Sequence, residues 1–165
     1  MRNFKTDLNR GLVGQQTFAK LFAGLKATDG KRGDFLLEDG SKVEVKADFY
    51  SMNKTQNYFM ERYSSVEVGS PGGVWQAAAH GADYYAYIYV QNLHVSVWYV
   101  PELLAHLSKL EPKLTPVNIK NAKWTTVGYK VARSLLSPIL TYANGSISYA
   151  DHDYSEYFST IWRTR

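Results

Sequence analysis

Three residues in the stretch GDFLLEDGSKVEVKADFY (33–50) could do chemistry that their neighbours could not: Asp34, Glu44 and Lys46. They stand among residues that favour burial, namely Phe35, Leu36, Leu37, Val43 and Val45. Strand side chains alternate between faces, so Glu44 and Lys46 point one way and Val43 and Val45 the other. A hairpin folded at Asp39–Gly40 brings residues 34–36 alongside 43–45, and Asp34 then converges on Glu44 beside the lysine. Converging carboxylates repel unless a cation lies between them. Mg²⁺ suits such a pair, because it takes oxygen ligands and keeps several waters; one Asp, one Glu and a backbone carbonyl suffice. A metal held there activates a water and neutralises charge on a phosphate oxygen. The lysine orients that water or stabilises developing negative charge. The set points to phosphodiester hydrolysis. The same three residues also fit a solvated hairpin, since alternation on a half-exposed strand produces E-x-K by chance.

The elements that must position these residues follow from periodicity. Apolar residues recur at helical spacing in DLNRGLVGQQTFAKLFAGLK (7–26), through Leu8, Leu12, Phe18, Ala19, Leu21, Phe22 and Leu25, with Asp7 as N-cap. Gly11 and Gly14 weaken this helix by roughly 1 kcal/mol each against alanine and mark a close approach of another backbone. Residues 28–33 are expected as a loop, 34–38 and 42–48 as a hairpin, 57–64 as a third strand and 68–73 as a loop. One helical turn is expected at 74–81, closed by Gly81, then strands at 83–90 and 94–100. Pro101 starts a helix at its preferred first position. Residues 111–126 read as loop with a turn of helix, 128–138 as partly helical and ANGS (143–146) as a hairpin turn; the aromatic tail gives no clear signal. The order predicts one α/β domain over 1–165, a mixed central sheet flanked by helices.

Composition limits the function classes. The 165 residues suit a single domain with one sizeable core. The chain has no cysteine, which removes disulfides, thiolate zinc sites and cysteine nucleophiles. No apolar run approaches the roughly 18 residues needed to span a membrane, and the start MRNFKTDLNR lacks the apolar segment of a signal peptide, so a cytoplasmic location is expected. The net charge of +4 is unevenly spread. Residues 1–32 hold seven Lys/Arg against two acids, and 109–133 hold six against Glu111 alone, while seven of the fifteen acids fall in 34–67. An acidic centre between basic flanks suits a metal site beside a polyanion; ordinary surface charge gives the same totals.

With an N-terminal helix ahead of the hairpin, Gly33-Asp34 followed by Glu44-Val45-Lys46 resembles the PD-(D/E)xK nuclease superfamily. Gly33 stands where the proline of that signature would be. The resemblance spans roughly residues 8–100. It continues in QNYFMERYS, in SPGG and in Ala82-Asp83-Tyr84-Tyr85, which are similar to the third strand, loop and fourth strand of small phage and bacterial nucleases. It implies a restriction-endonuclease-like fold and a Mg²⁺-dependent deoxyribonuclease, with Mn²⁺ as a substitute metal. Asp34 and Glu44 would then be metal ligands, the Val45 carbonyl a third, and Lys46 catalytic. Small stand-alone members suggest branched DNA as substrate and a homodimer as the working form, in the host cytoplasm if phage-encoded. Many members carry a glutamate on the first helix near the metal; here that helix has Gln15 and Gln16. A glutamine lacks the charge, so the alternative is a nuclease-fold module that holds DNA or a protein without cutting.

Other residues have weaker signals. Glu61 shares a strand face with Phe59 and Tyr63, and could bond Lys46 or a metal-bound water, or simply pair with Arg62 or Lys46. Gln76, after the glycine loop, could contact phosphate or lie on a helix surface. His80, His94, His106 and His152 have no ligand spacing, which argues against zinc. Asp151 and Asp153 fit an acidic surface turn. The basic stretch Lys109–Arg133, with Trp124 and Tyr129 interleaved, is the candidate DNA contact through Lys120, Lys123, Lys130 and Arg133, joined by Lys31 and Arg32 beside the acidic hairpin.

Overall fold

The computed structural model describes residues 4–30 and 33–165. The chain starts with α1 (Phe4–Leu21), β1 (Lys26–Gly30), β2 (Gly33–Leu36) and β3 (Lys42–Asp48). Next come β4 (Asn57–Ser65), β5 (Ser70–Pro71), α2 (Gly73–Ala79), β6 (Tyr84–Tyr89), β7 (His94–Tyr99) and α3 (Val100–Leu110). The remainder is β8 (Pro116–Lys120), β9 (Thr125–Ala132), β10 (Leu140–Ala143), β11 (Ser146–Tyr149) and α4 (His152–Ile161). A seven-stranded sheet runs β1-β2-β3-β6-β7-β10-β11, and a four-stranded sheet runs β5-β4-β9-β8. Within the larger sheet β3 and β6 pair in parallel, and its other pairs are antiparallel. The architecture is mixed α/β, as the sequence predicts.

Parallel pairing of β3 with β6 requires a crossover, and that crossover carries β4, β5 and α2. It lays one core on each face of the large sheet. On the first face Phe18 of α1 and Phe22, just after it, meet Phe35, Val43, Ala86 and Trp162. On the second, Tyr85, Tyr87 and Tyr89 of β6 meet Tyr58 and Met60 of β4, Val74 and Ala77 of α2, and Leu103 and Leu107 of α3. All six residues of β6 are buried, which explains its unbroken apolar and aromatic run YYAYIY.

Several expected elements differ. Residues 26–30 form β1, paired to β2, where a loop is predicted from residue 28. Residues 116–120 and 125–132 form β8 and β9, where loop and partial helix are predicted. Both strands are partly exposed, so their stability comes from pairing, β9 with β4 and β8 with β9, which sequence windows do not see. The tail becomes α4, capped by the Asp151 carboxylate accepting from the Asp153 N–H at 3.1 Å. Asp7 lies within the first turn of α1 instead of capping it. Leu8 and Leu12, expected in the helix's apolar face, are exposed. Gly14, by contrast, does mark a close approach: a Cβ there would sit 2.2 Å from that of Ala47 on β3. Gly11 faces open space.

Candidate functional site

Asp34 owes its place to the residue before it. Gly33 has φ +105, a conformation that side-chain-bearing residues rarely adopt, and there β2 departs from β3. The Phe35–Val43 and Leu36–Lys42 pairs set the hairpin one residue away from the expected register of 34–36 alongside 43–45, and the ladder stops short of Val45. The Gly33 carbonyl is instead taken by the Thr28 hydroxyl. The Val45 N–H, left without a strand partner on that side, donates to the Asp34 carboxylate at 2.7 Å. The other Asp34 oxygen accepts from the Gln15 side-chain amide, also at 2.7 Å. Asp34 is thus fixed by two donors from two elements. Each carboxylate oxygen retains a lone pair.

Glu44 lies on the same side of the hairpin. It is half-buried, and burial together with the charge of Asp34 raises its pKa to about 8, against the opposing pull of Lys46. Burial also raises Asp34, while its bond from Val45 works the other way. Two desolvated, mutually repelling carboxylates of this kind are stabilised by a cation between them. In an extended strand the N–H and C=O of one residue point to the same side, so the Val45 carbonyl faces the edge where its N–H meets Asp34. The donor set is all oxygen, which fits a small hard divalent ion that keeps several waters. Among the described residues no three His, Asp or Glu side chains gather into a complete cage.

Lys46 shares the Glu44 face, and its ammonium pairs with Glu61 at 3.4 Å. That pair is part-buried, with the lysine side chain 33 % exposed and the glutamate 18 %. Glu61 is pinned from above by the SPGG loop: a Cβ on Gly72 would lie 2.4 Å from its carboxylate, and one on Gly73 would lie 2.7 Å from its backbone oxygen. The two glycines let this glutamate approach the loop backbone.

The structure therefore brings together Gln15, Asp34, Glu44, Val45, Lys46 and Glu61. It leaves others apart. Gln16 is exposed on α1. Gln76 is half-buried on α2, and its side chain makes no hydrogen bond among the described residues. Lys31 and Arg32 lie outside the described residues. Lys120, Lys123 and Lys130 are exposed, but they do not form one row. Strand pairing puts Lys130 on the face of β9 that carries Phe59 and Glu61 of β4. Lys120, paired with Thr125, belongs to the opposite face, that of Tyr129 and Met60. Arg133 is committed elsewhere: its guanidinium donates to the carbonyls of Met52 and Thr55 and to the Gln56 side chain, and lies 5.6 Å from the Tyr89 ring. It fastens the loop between β3 and β4 instead of facing outward as a DNA contact.

Sequence reasoning missed Tyr85 as a site residue. It is Glu44's register partner across the parallel β3–β6 pair, and its burial is complete. Only that pairing, between strands far apart in the chain, could have pointed to it. No described helix is long and apolar enough to cross a membrane. Comparisons of the chain with protein-family models, with curated proteins and with solved structures found no match.

Proposed function

We propose that this chain is a Mg²⁺-dependent deoxyribonuclease of the PD-(D/E)xK type, hydrolysing DNA phosphodiester bonds. The observation that carries the reading is the convergence of Asp34 and Glu44 beside the Val45 carbonyl, with Lys46 on the same face. Asp34, Glu44 and the Val45 carbonyl would hold the metal. When bound, it supplies a Lewis acid for a phosphate oxygen and an acidified water. Gln15 and the Val45 N–H keep Asp34 from swinging away, so the site is ordered before any ligand arrives. Lys46 stands where an ammonium offsets negative charge developing on phosphate, and Glu61 holds its chain in place. Lys130, on the face shared with Glu61, offers a backbone-phosphate contact. The expected partner is DNA, branched DNA and a homodimer included.

The test is cleavage of supercoiled, linear and four-way-junction DNA with Mg²⁺ or Mn²⁺ and with EDTA. Cutting should need the metal. Glu44→Ala and Lys46→Ala should each lower the rate by at least about a hundredfold while the protein stays folded. Full activity in either variant would sink the mechanism.

A second reading has one observation in its favour. Gln15 gives its amide N–H to Asp34, where a first-helix carboxylate would add a negative ligand. A nuclease-fold module that binds DNA without cutting would show metal-independent DNA affinity and no cleavage in the same experiment.

A further inference from the structure

The second face of β6 carries three buried tyrosines, and two of their hydroxyls are satisfied. Tyr87 donates to Asp48 at 2.6 Å and accepts from the Phe59 N–H at 3.0 Å. Tyr89 donates to the Asn57 carbonyl at 2.7 Å. The nearby Tyr58 hydroxyl pairs with Ser96 at 2.9 Å. Tyr85 breaks the pattern: it is 0 % exposed, and its hydroxyl has no hydrogen-bond partner. Among the described residues it is the one buried hydroxyl left in that condition. Buried donors are nearly always paired in native proteins, so such an orphan calls for an acceptor. The negative groups acting on it, strongest first, are Glu61, Glu44 and Asp34. Glu61 receives Lys46 on one oxygen and Asp34 one donor on each, so both carboxylates are already held in place. Glu44, the register partner of Tyr85, receives no hydrogen bond among the described residues. A donor without an acceptor thus lies beside an acceptor without a donor.

We infer that Tyr85 is a positioning residue of the carboxylate site: its hydroxyl donates to Glu44 when that carboxylate holds a cation, and so fixes the oxygen that faces the metal. The inference rests on the metal-site reading above. A tyrosine in this place lies too deep to reach substrate, and it acts through Glu44 alone. Its removal should weaken metal binding in the absence of DNA and leave substrate affinity unchanged.

The experiment compares wild type with Tyr85→Phe, which keeps the ring and its packing. Mg²⁺ is titrated calorimetrically into each metal-free protein without DNA. Tyr85→Phe should melt in EDTA at or above the wild-type temperature, since it loses only an unpaired hydroxyl. Its Kd for Mg²⁺ should rise by about tenfold or more. At subsaturating Mg²⁺ its kcat should fall while the KM for DNA holds. An unchanged Kd for Mg²⁺ in Tyr85→Phe, with wild type binding normally, overturns the assignment and leaves the metal site standing. A wild type that binds no Mg²⁺ overturns the metal-site reading and the assignment with it. In wild type alone, Mg²⁺ should slow solvent exchange of the Tyr85 hydroxyl proton by NMR; a proton indifferent to Mg²⁺ also overturns the assignment.

Discussion

Glu44 is folded as an acid instead of an anion, and this has a measurable cost at neutral pH. Its pKa of about 8 stands above the ordinary 4.5, so between those values the native state keeps a proton that the unfolded chain has lost. Stability from this group is complete below about pH 4.5 and falls as pH rises to about 8, then levels. The full loss is on the order of 4 kcal/mol for a metal-free protein. Thermal melts in EDTA from pH 5 to 9 should show the decline, and Glu44→Gln should flatten it. Mg²⁺ should restore stability at the alkaline end, because a cation supplies what the lost proton did. A flat wild-type profile would show that Glu44 ionises freely. At this scale the site was largely legible. Alternation alone put Glu44 and Lys46 on one face, and the Asp39–Gly40 turn brought Asp34 to them. Glu61's bond to Lys46 was one of three partnerships the sequence left open, beside a metal-bound water and Arg62. Tyr85 was not legible, because its relation to Glu44 exists only through a parallel pair that a crossover builds.

Among the elements, α1 and β3 fit together through one missing side chain. Gly14 touches Ala47, and the next residue, Gln15, holds Asp34. Gly14→Ala should push the helix off the strand and destabilise by about 1–3 kcal/mol. It should also loosen the Gln15–Asp34 bond and weaken Mg²⁺ binding. Gly11→Ala, in open space on the same helix, should stabilise by about 0.5–1 kcal/mol. Urea unfolding of the two variants gives both numbers, and equal effects would remove the packing argument. The sequence marked both glycines but could not tell them apart, since a helix looks alike on every side until its neighbour is placed. The strands β8 and β9 escaped for a related reason. Their residues alternate only weakly, and β4, the partner that makes β9 a strand, lies 64–75 residues earlier.

On the whole-molecule scale, charge is divided between holding the fold and facing solvent. Arg133 belongs to the first group and Lys130 to the second. Arg133→Ala should lower stability by about 1–3 kcal/mol through its freed carbonyl acceptors. Lys130→Ala should leave the melting temperature alone and weaken DNA binding, with the salt dependence of affinity reduced by about one phosphate contact. Fluorescence anisotropy across a salt series separates the two; a steeper loss in Arg133→Ala at constant stability would reverse the assignment. The paired sheets also set the order in which the molecule can be built. The β6–β7 hairpin closes over a four-residue connection, whereas β4 must wait for β9, whose pairing joins Asn57 to Ala132. Long-range pairings form slowly. In pulse-labelled refolding, amides of β6 and β7 should become protected before those of β4 and β9. Synthesis imposes the same sequence in time. The carboxylate hairpin leaves the ribosome ahead of β9, and the strand carrying Glu61 gains its partner only after residue 132 has followed. Lys46 is therefore unclamped until β9 has been made, and only then does the site come into its final geometry.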